Sequence, residues 1–378
     1  MHLYIHVPFC ARRCSYCDFA IAVRREVPTQ AFVSAIAKEW AGRLSEPEWN
    51  DSAGLDTVYF GGGTPSRLFA AGIAELLTRF SADRPVAPGA EITLEANPED
   101  VSPAAADAWR AAGVNRVSLG AQSFSPPALE WMHRTHDAAR IGRAVRTLRA
   151  AGFENISLDL IYGVPAHLDR DWARDLEQAF ALMPEHLSLY ALTVEPHTAL
   201  GKWTARGEAI PAPDDRAAQE FLLAHERLSG AGYEHYEVSN AARPGRRARH
   251  NAAYWRRAPF IGLGPSAHSG SGNRRAWNAR EWEAYRRLME SGVSPRSGEE
   301  LLDERAVRLE ELYLGLRTDS GVPAAAVPES MRRTWVKAGW AIEAAGRVRL
   351  TPDGWLRLDA LVASVPERES TDFAEDAD

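Results

Sequence analysis

Residues 3–17 read LYIHVPFCARRCSYC, and this segment decides how the rest of the chain is interpreted. The run over residues 3–7 is short and mostly apolar, as expected of a buried strand. Cys10, Cys14 and Cys17 follow it at once, and the sequence contains no other cysteine. Secreted disulfide proteins spread an even number of cysteines along the chain, so this odd, clustered set indicates a metal site in a reducing compartment.

Short apolar runs alternate with amphipathic segments along the first half of the chain. The runs predict strands at residues 3–7, 57–60, 91–95, 116–120, 156–161 and 187–193. The segments between them predict helices at residues 30–44, 66–80, 103–112, 138–151 and 169–182. Successive βα units of this kind predict an α/β fold whose parallel sheet has right-handed crossovers. Six units rather than eight indicate a partial (β/α)6 barrel that is open on one side.

The sequence beyond residue 210 predicts an extension of the barrel and a smaller terminal domain. A helix at 216–229 and a strand near 233–239 precede an arginine-rich stretch, 241–258, which we interpret as a loop. Segments at 304–316, 331–338, 347–350 and 355–364 are typical of a mainly helical, winged-helix-like domain. The predicted divisions are a barrel at 1–215, its extension at 216–298, the winged-helix-like domain at 299–366 and a disordered acidic tail at 367–378.

Charge and hydropathy limit the classes of function. The chain has 44 basic and 51 acidic residues and a formal net charge of −7, which argues against nucleic acid as a partner bound through counterion release. No apolar run reaches the roughly 18 residues of a membrane span, and residues 1–8 lack the pattern of a signal peptide. We therefore expect a cytoplasmic protein.

The three cysteines suit a 4Fe-4S cluster with one iron that no protein side chain ligates. Structural zinc would need a fourth ligand to close a tetrahedron. His6 could supply that ligand in principle, but its phase in the strand favours packing in the core. The spacing of Cys10, Cys14 and Cys17 therefore favours the cluster over zinc.

Polar residues and glycines follow the other predicted strands at the same edge of the barrel, where functional residues of parallel barrels gather. They are Gly62, Gly63 and Thr64 after the second strand, Glu95 at the end of the third, Gln122 and Arg134 after the fourth, and Asp159 within the fifth. Each alone could be a turn or a structural ion pair. Together they surround one face of the barrel, which predicts a ligand site.

S-adenosylmethionine (SAM) suits a site of this composition. Its amino and carboxylate groups can chelate the open iron, while Glu95 or Asp159 could accept hydrogen bonds from its ammonium or ribose hydroxyls. Arg134 could pair with its carboxylate. Reductive cleavage of the sulfonium bond would be chemistry of the cofactor, and the protein would orient it and exclude water.

Six motifs resemble the oxygen-independent coproporphyrinogen III oxidase family of radical SAM proteins over nearly the whole chain. They are YIHVPFC at 4–10, YFGGGTPS at 59–66, NRVSLGAQSF at 115–124, DLIYG at 159–163, YEVSN at 236–240 and GLGP at 262–265. The resemblance assigns no catalytic residue. The SAM contacts that it implies are Tyr4, Gly62, Gly63, Thr64, Glu95, Gln122, Arg134 and Asp159, with Tyr16 and Thr193 contributing through their backbones.

Two branches of that family differ in activity. The oxidase branch decarboxylates two propionates of coproporphyrinogen III, and it has a longer segment before the cluster and a further cysteine where this chain has Phe19. Both departures resemble the other branch, haem chaperones that bind haem and deliver it to acceptor proteins such as respiratory enzymes. The resemblance therefore implies a haem chaperone, with coproporphyrinogen III dehydrogenase as the alternative, and it leaves open whether the chain is an enzyme.

Residues 250–255, HNAAYW, match the HNxxYW haem-binding motif of the chaperone branch. The resemblance implies that His250 is the axial ligand, since imidazole commonly ligates haem iron, and that Tyr254 and Trp255 pack on the macrocycle. Many relatives carry a cysteine just before this motif, where Ala248 and Arg249 stand here, so that no thiolate is available. A lone histidine beside two aromatic residues is more often core packing, and only the motif match favours ligation.

The resemblance also implies the partners. We expect haem and haem-accepting proteins, and respiratory enzymes among them would bring the chain to the inner face of the membrane as a peripheral protein. A homodimer is compatible with the sequence. A third interpretation, an RNA-modifying radical enzyme whose winged-helix-like domain binds nucleic acid, is disfavoured by the net charge of −7 and the lack of a basic recognition helix.

Overall fold

The computed structural model describes residues 1–46, 49 and 54–366. They form two compact units, the first being Met1–Leu301 and the second beginning at Leu302. The predicted barrel and its extension both belong to the first unit. The acidic tail predicted at 367–378 lies outside the described residues. No helix in the described part of the chain is long and apolar enough to cross a membrane.

The first unit is built from alternating strands and helices. Its strands are β1 (His2–Val7), β2 (Phe9–Cys10), β3 (Ala22–Val23), β4 (Leu55–Gly62), β5 (Val86–Ala96), β6 (Arg116–Gln122), β7 (Ile156–Tyr162), β8 (His186–Ala191), β9 (Glu234–Glu237), β10 (Asn240–Ala242), β11 (Phe260–Leu263), β12 (His268–Ser271), β13 (Arg274–Asn278) and β14 (Arg296–Leu301). Its helices are α1 (Thr29–Arg43), α2 (Phe69–Asp83), α3 (Pro103–Ala111), α4 (Pro126–Trp131), α5 (Ala138–Ala150), α6 (Trp172–Ala181), α7 (Ala199–Ala205), α8 (Asp214–Gly230), α9 (Arg249–Trp255) and α10 (Trp282–Glu290).

One large sheet runs in the order β14-β13-β12-β11-β1-β4-β5-β6-β7-β8-β10-β9. The strands β1, β4, β5, β6, β7 and β8 pair in parallel, which confirms the predicted partial (β/α)6 barrel. A seventh parallel strand, β11, pairs with the other side of β1. The sequence did not reveal β11 because its glycine-rich surroundings hide the apolar run. The remaining strands extend both ends of the sheet in antiparallel pairing.

Side chains of β1 alternate between two environments because successive residues of a strand point to opposite faces. Leu3, Ile5 and Val7 have no exposed surface. On the other face, Nδ1 of His2 lies 2.9 Å from Oγ1 of Thr57, and the Tyr4 hydroxyl lies 3.1 Å from Nδ1 of His6. The apolar face therefore belongs to the hydrophobic core, whereas the polar face lines the inside of the barrel.

The prediction of a loop over residues 241–258 is wrong, since β10 and the helix α9 occupy much of this stretch. The backbone N–H groups of Arg249 and His250 both donate to the carboxylate of Glu91, each at 3.0 Å. A carboxylate at a helix N-terminus satisfies free N–H groups and complements the helix dipole. This acceptor lies 158 residues away in sequence, and a helix of seven residues is too short to display a clear period. The sequence therefore could not indicate α9.

The helix α9 closes the barrel at the amino ends of its strands. Its His250 lies against Thr57, which is near the start of β4, with 2.7 Å between Nδ1 and Oγ1. Nε2 of the same ring lies 2.8 Å from the Tyr254 hydroxyl. The His250 ring also stacks on Tyr59, with ring centroids 5.1 Å apart. The HNxxYW motif thus forms the floor of the barrel, opposite the cysteine loop.

The second unit has the order of elements expected of a winged helix. It comprises α11 (Glu304–Leu316), β15 (Val322–Pro323), α12 (Glu329–Lys337), β16 (Ala341–Ala344), β17 (Arg347–Leu350), α13 (Pro352–Trp355) and α14 (Leu358–Ser364). The strands form an antiparallel sheet in the order β15-β17-β16. Inside this unit the indole N–H of Trp355 donates to the Leu316 carbonyl at 3.1 Å. The winged-helix-like fold predicted for this part of the chain is confirmed.

We expect His250→Ala to lower the free energy of unfolding by about 2–4 kcal/mol, because it creates a cavity and removes the buried partner of two hydroxyls. Tyr254→Phe keeps the ring and loses one of these hydrogen bonds, which should cost about 1 kcal/mol. The matched control is His197→Ala at an exposed position. It should change the free energy of unfolding by less than about 0.5 kcal/mol. Urea unfolding measures all three, and an effect of His250→Ala as small as that of the control would contradict the structural role of α9.

Candidate functional site

The cysteine loop lies at the carboxyl edge of the barrel, directly after β1. Cys10 is buried, whereas Cys14 and Cys17 are half-buried. The short pairing of β2 with β3 fixes Cys10 opposite Val23. The backbone N–H of Cys17 donates to the carbonyl of Cys14 at 3.4 Å. The backbone therefore places the three cysteines in one compact turn at the barrel mouth, while among the described residues no three His, Cys, Asp or Glu side chains converge on a single metal-ion position.

The surroundings of the thiols fit an iron–sulfur cluster. The Thr64 hydroxyl donates to Sγ of Cys10 at 3.4 Å, and Arg134 donates to Sγ of Cys14 at 3.5 Å. Such donors stabilise the negative charge of thiolates. Burial raises the pKa of the Cys10 thiol to about 11, so that the thiolate form requires a compensating positive charge such as that of iron.

His6 does not serve as a fourth ligand beside the cysteines. Its Nε2 lies 2.9 Å from the Ala20 carbonyl oxygen, which can only accept, so Nε2 carries the hydrogen. Its Nδ1 then accepts from the Tyr4 hydroxyl at 3.1 Å. Both ring nitrogens are engaged and the side chain is buried. His6 was expected to pack in the core; it is buried, but it lies on the polar face of β1 at the wall of the cavity.

The glycines after β4 allow a close approach that no other residue permits. Gly62 has φ +113°, and a Cβ there would lie 2.7 Å from the His6 ring. A Cβ on Gly63 would lie 3.0 Å from Sγ of Cys10. Glycine is therefore required at both positions, and the backbone of this turn borders the cysteine loop directly.

Two carboxylates predicted as ligand contacts lie inside the barrel. Glu95 accepts from the Tyr59 hydroxyl at 2.7 Å and from the backbone N–H of Gly62 at 3.0 Å, and burial raises its pKa to about 7. Asp159 accepts from the Ser118 hydroxyl at 3.0 Å, and burial also raises its pKa. Because both acids are held where their charge is costly, each would gain from a cationic ligand.

Arg134 connects the cysteine loop to the strand ends. Besides its contact with Cys14, it donates to Oδ1 of Asn97 at 2.5 Å and to the carbonyl of Gly120 at 3.0 Å. A Cβ on Gly120 would lie 2.9 Å from the side-chain amide nitrogen of Gln122, so the glycine makes room for the amide. The structure therefore brings Arg134 and Gln122 together. Sequence reasoning missed Asn97, whose only signal was its position just after β5.

Tyr16 and the residue next to Thr193 both lie against one buried apolar cluster. Tyr16 packs against the buried cluster formed by Met132, Ile161, Val164 and Leu168. Thr193 is exposed beyond β8, and its hydroxyl donates to the nearby Ala191 carbonyl at 3.5 Å. Tyr16 lies within the cysteine loop, and Leu192, the neighbour of Thr193, packs against the same cluster as Tyr16.

A cavity of about 400 Å³ opens beside the cysteine loop. Tyr4, Gly62 and Glu95, three of the predicted SAM contacts, line one part of it. The other part is lined by Phe19, which the sequence analysis had noted, and by residues that it did not single out, among them Phe260, His268 and Arg280. The strands β11 and β12 supply two of these residues, and neither strand could be predicted.

The three predicted haem contacts occupy different environments. His250 is only 1% exposed, with both ring nitrogens in hydrogen bonds, and burial lowers its pKa to about 3, so that the ring is neutral. Tyr254 reaches the cavity. Trp255 is half-buried at the end of α9. Of His250, Tyr254 and Trp255, only Tyr254 lines the cavity.

Comparison with known proteins identifies the family. Residues 4–179 match the Radical SAM superfamily. The chain is 38% identical over 372 residues to "Heme chaperone HemW" of Mycobacterium tuberculosis (strain H37Rv), covering 96% of this chain and 94% of that protein. It is 38% identical over 335 residues to the protein of the same name from Synechocystis sp., and the match covers 86% of this chain and 80% of that protein.

A solved structure shares the fold. It is described as "Coproporphyrinogen III oxidase (HemN) from Escherichia coli is a Radical SAM enzyme", and it superposes with a TM-score of 0.80 at 21% identity, covering 96% of this chain and 88% of that chain. At this identity the likeness concerns the fold alone. The sequence relatives are closer and match almost the whole chain, and the chain therefore belongs to the HemW family of the radical SAM superfamily.

Proposed function

We propose that this chain binds haem and transfers it to haem-accepting proteins, with a 4Fe-4S cluster and SAM as its cofactors. The observation that carries this proposal is the 38% identity, over nearly the whole length of both chains, to a protein named as a haem chaperone. Phe19 supports the same assignment, since it stands where the oxidase branch is expected to carry a further cysteine. Respiratory acceptors at the membrane and a homodimer stay predictions.

We propose the following roles for residues at the barrel mouth in binding the cluster and SAM. Cys10, Cys14 and Cys17 would hold the cluster and leave one iron open for SAM. Glu95 would accept hydrogen bonds from the SAM ammonium, and Arg134 would pair with its carboxylate. When bound, the cluster and SAM supply radical chemistry through reductive cleavage of the sulfonium bond.

The other proposed SAM contacts orient the molecule and exclude water. They are Tyr4, Tyr16, Gly62, Gly63, Thr64, Gln122, Asp159 and Thr193. The space that a side chain would need at the two glycines is taken by the His6 ring and by Pro8 and Cys10, so that the glycine turn lies directly against the cysteine loop. The buried apolar contacts of Tyr16 keep solvent away from the inner side of the loop.

Haem transfer and porphyrinogen oxidation can be separated in one preparation. We expect protein with a reconstituted cluster to take up haemin, to show a Soret band, and to pass the haem to apomyoglobin. Incubated anaerobically with coproporphyrinogen III, SAM and a reductant, the same sample should form no protoporphyrinogen. Formation of protoporphyrinogen would assign the oxidase activity instead, and absence of a Soret band would refute the haem chaperone proposal.

Replacement of Cys10, Cys14 or Cys17 by alanine should abolish the brown chromophore and the bound iron and sulfide, because the chain has no other thiol that could substitute. Arg12→Ala changes an exposed residue of the same loop. This variant should retain the chromophore, the bound iron and the bound sulfide. Iron and sulfide analysis with absorption spectra measures the outcome. Retention of the cluster in every cysteine variant would contradict the proposed site.

Glu95→Gln should flatten the pH dependence of stability in the ligand-free protein. The folded-state pKa of Glu95, about 7, exceeds the unfolded value of about 4.3. Folded protein therefore binds a proton that unfolded protein has lost, and this group lowers the free energy of unfolding as pH rises from about 4.3 to about 7.

Urea unfolding at the two ends of that pH window measures the difference. Because glutamine does not titrate, the Glu95→Gln variant should lose less stability than wild type as pH rises. Glu300→Gln, at an exposed position of β14, is the matched control and should follow the wild type. Parallel pH profiles for all three proteins would show that Glu95 does not titrate as expected.

A further inference from the structure

Arg134 lies in a connection that has no regular secondary structure. The helix α4 ends at Trp131 and α5 begins at Ala138, so no helix or strand fixes the backbone between them. The guanidinium nevertheless makes defined contacts, since it donates to Oδ1 of Asn97 and to the carbonyl of Gly120. Other side chains must therefore hold this connection against the ends of the strands.

Glu99 cross-links the connection to the segment that follows β5. Its Oε1 accepts from the Thr135 hydroxyl at 2.5 Å, and its Oε2 lies 3.1 Å from Nδ1 of His136. Thr135 and His136 are the two residues that follow Arg134. Glu99 itself lies two residues after Asn97, which the Arg134 guanidinium contacts. The two segments are therefore joined both through the side chain of Arg134 and through its two neighbours.

His136 extends this cross-link to β6. Its Nε2 lies 3.1 Å from the carbonyl oxygen of Ala121, one residue beyond the carbonyl that Arg134 contacts. Although burial raises the pKa of Glu99, hydrogen bonds from His136 and Thr135 lower it to about 2, so that its carboxylate, like the carbonyl, can only accept. The ring can satisfy both acceptors only as an imidazolium. The His136 side chain has no exposed surface, and its charge would be costly without the carboxylate.

The segment that carries Glu99 is held from two sides. Arg140 of α5 donates through Nε to the carbonyl of Pro98 at 3.1 Å and through Nη2 to the carbonyl of Glu99 at 2.8 Å. From the other side, the Ser66 hydroxyl, just after the glycine turn, donates to Oδ2 of Asp100 at 2.6 Å. Because its backbone is fixed in this way, Glu99 can hold the residues that follow Arg134 in one place.

The proposed partner of Arg134 is the carboxylate of SAM, and this kind of pairing depends on geometry. A guanidinium and a carboxylate bind best through two parallel hydrogen bonds in one plane. A small displacement of either group weakens the pairing. Residues that fix the connection around Arg134 can therefore set the affinity for SAM without touching it.

We propose that Glu99, together with His136 and Thr135, positions Arg134 for the carboxylate of SAM. Glu99 is a positioning residue, since it acts through the 134–136 segment and not through contact with the ligand. This inference rests on the proposed role of Arg134 in SAM binding and names the residues that maintain it.

Equilibrium dialysis of the cluster-reconstituted protein against SAM and against decarboxylated SAM tests the proposal. Decarboxylated SAM keeps the adenosine, the sulfonium and the amino group but lacks the carboxylate that Arg134 would bind. We expect Glu99→Ala to raise the Kd for SAM about fivefold or more and to change the Kd for decarboxylated SAM less than about twofold. Glu99→Gln keeps an oxygen that can accept, and it should restore part of the affinity. Glu130→Gln, at an exposed acid of α4, is the matched control and should bind both compounds as wild type does.

A double-mutant cycle shows whether Glu99 acts through Arg134. In an Arg134→Gln background, Glu99→Ala should raise the Kd for SAM no further, because the guanidinium that it positions is gone. Iron and sulfide content and circular dichroism check that each variant is loaded and folded. Should Glu99→Ala fail this check, Glu99→Gln and Thr135→Val decide, each with a smaller loss of affinity that is confined to SAM.

The outcomes separate the positioning role from SAM binding itself. If wild-type protein binds no SAM, the proposed SAM-binding function fails and this inference fails with it. If wild type binds SAM and the Glu99 variants retain its Kd, the positioning role is overturned while SAM binding stands. Equal losses for SAM and decarboxylated SAM, or additive losses from Glu99→Ala and Arg134→Gln, would also overturn it, because either result shows a general disturbance of the site.

Discussion

The parallel pairing of β1 with β4 on one side and β11 on the other is the constraint on which the site depends. It carries the cysteine loop to the mouth of the barrel, aligns Gly62 with the end of β1, and sets Gly262 opposite Tyr4. The close approach of these strands requires glycine at Gly62 and Gly262, because a Cβ there would collide with His6 or with the His268 carbonyl. A single strand therefore orients both walls of the cavity and the proposed cluster.

The two ends of the barrel have different tasks. At the carboxyl ends of the strands, the cysteine loop lies beside a cavity that Gly62, Asp18 and Glu95 line. At the amino ends, the carboxylate of Glu91 accepts two N–H groups of α9, and His250 fills the space between Thr57, Tyr59 and Tyr254. The closed floor excludes water from below, and Tyr254 is the point at which this floor meets the cavity.

Burial imposes a consistent electrostatic character on the mouth. It raises the pKa of Cys10 to about 11 and that of Glu95 to about 7, because neither anion has enough compensating charge nearby. Arg134 contacts the thiol of Cys14 and also bonds Asn97 and the Gly120 carbonyl. Iron and a sulfonium or ammonium group would supply positive charge where these anions need it.

The sequence by itself determined the features that depend on local patterns: the six parallel strands, the cysteine loop and the glycine turn. Periodicity, caps and turn residues act over a few positions, so they can be recognised in the sequence. Only the tertiary structure decided that β11 continues the parallel sheet, that Glu91 caps α9 from 158 residues away, and that His268, rather than His250, faces the cavity. These features depend on strand register and on contacts between distant segments, and no local pattern of residues encodes either.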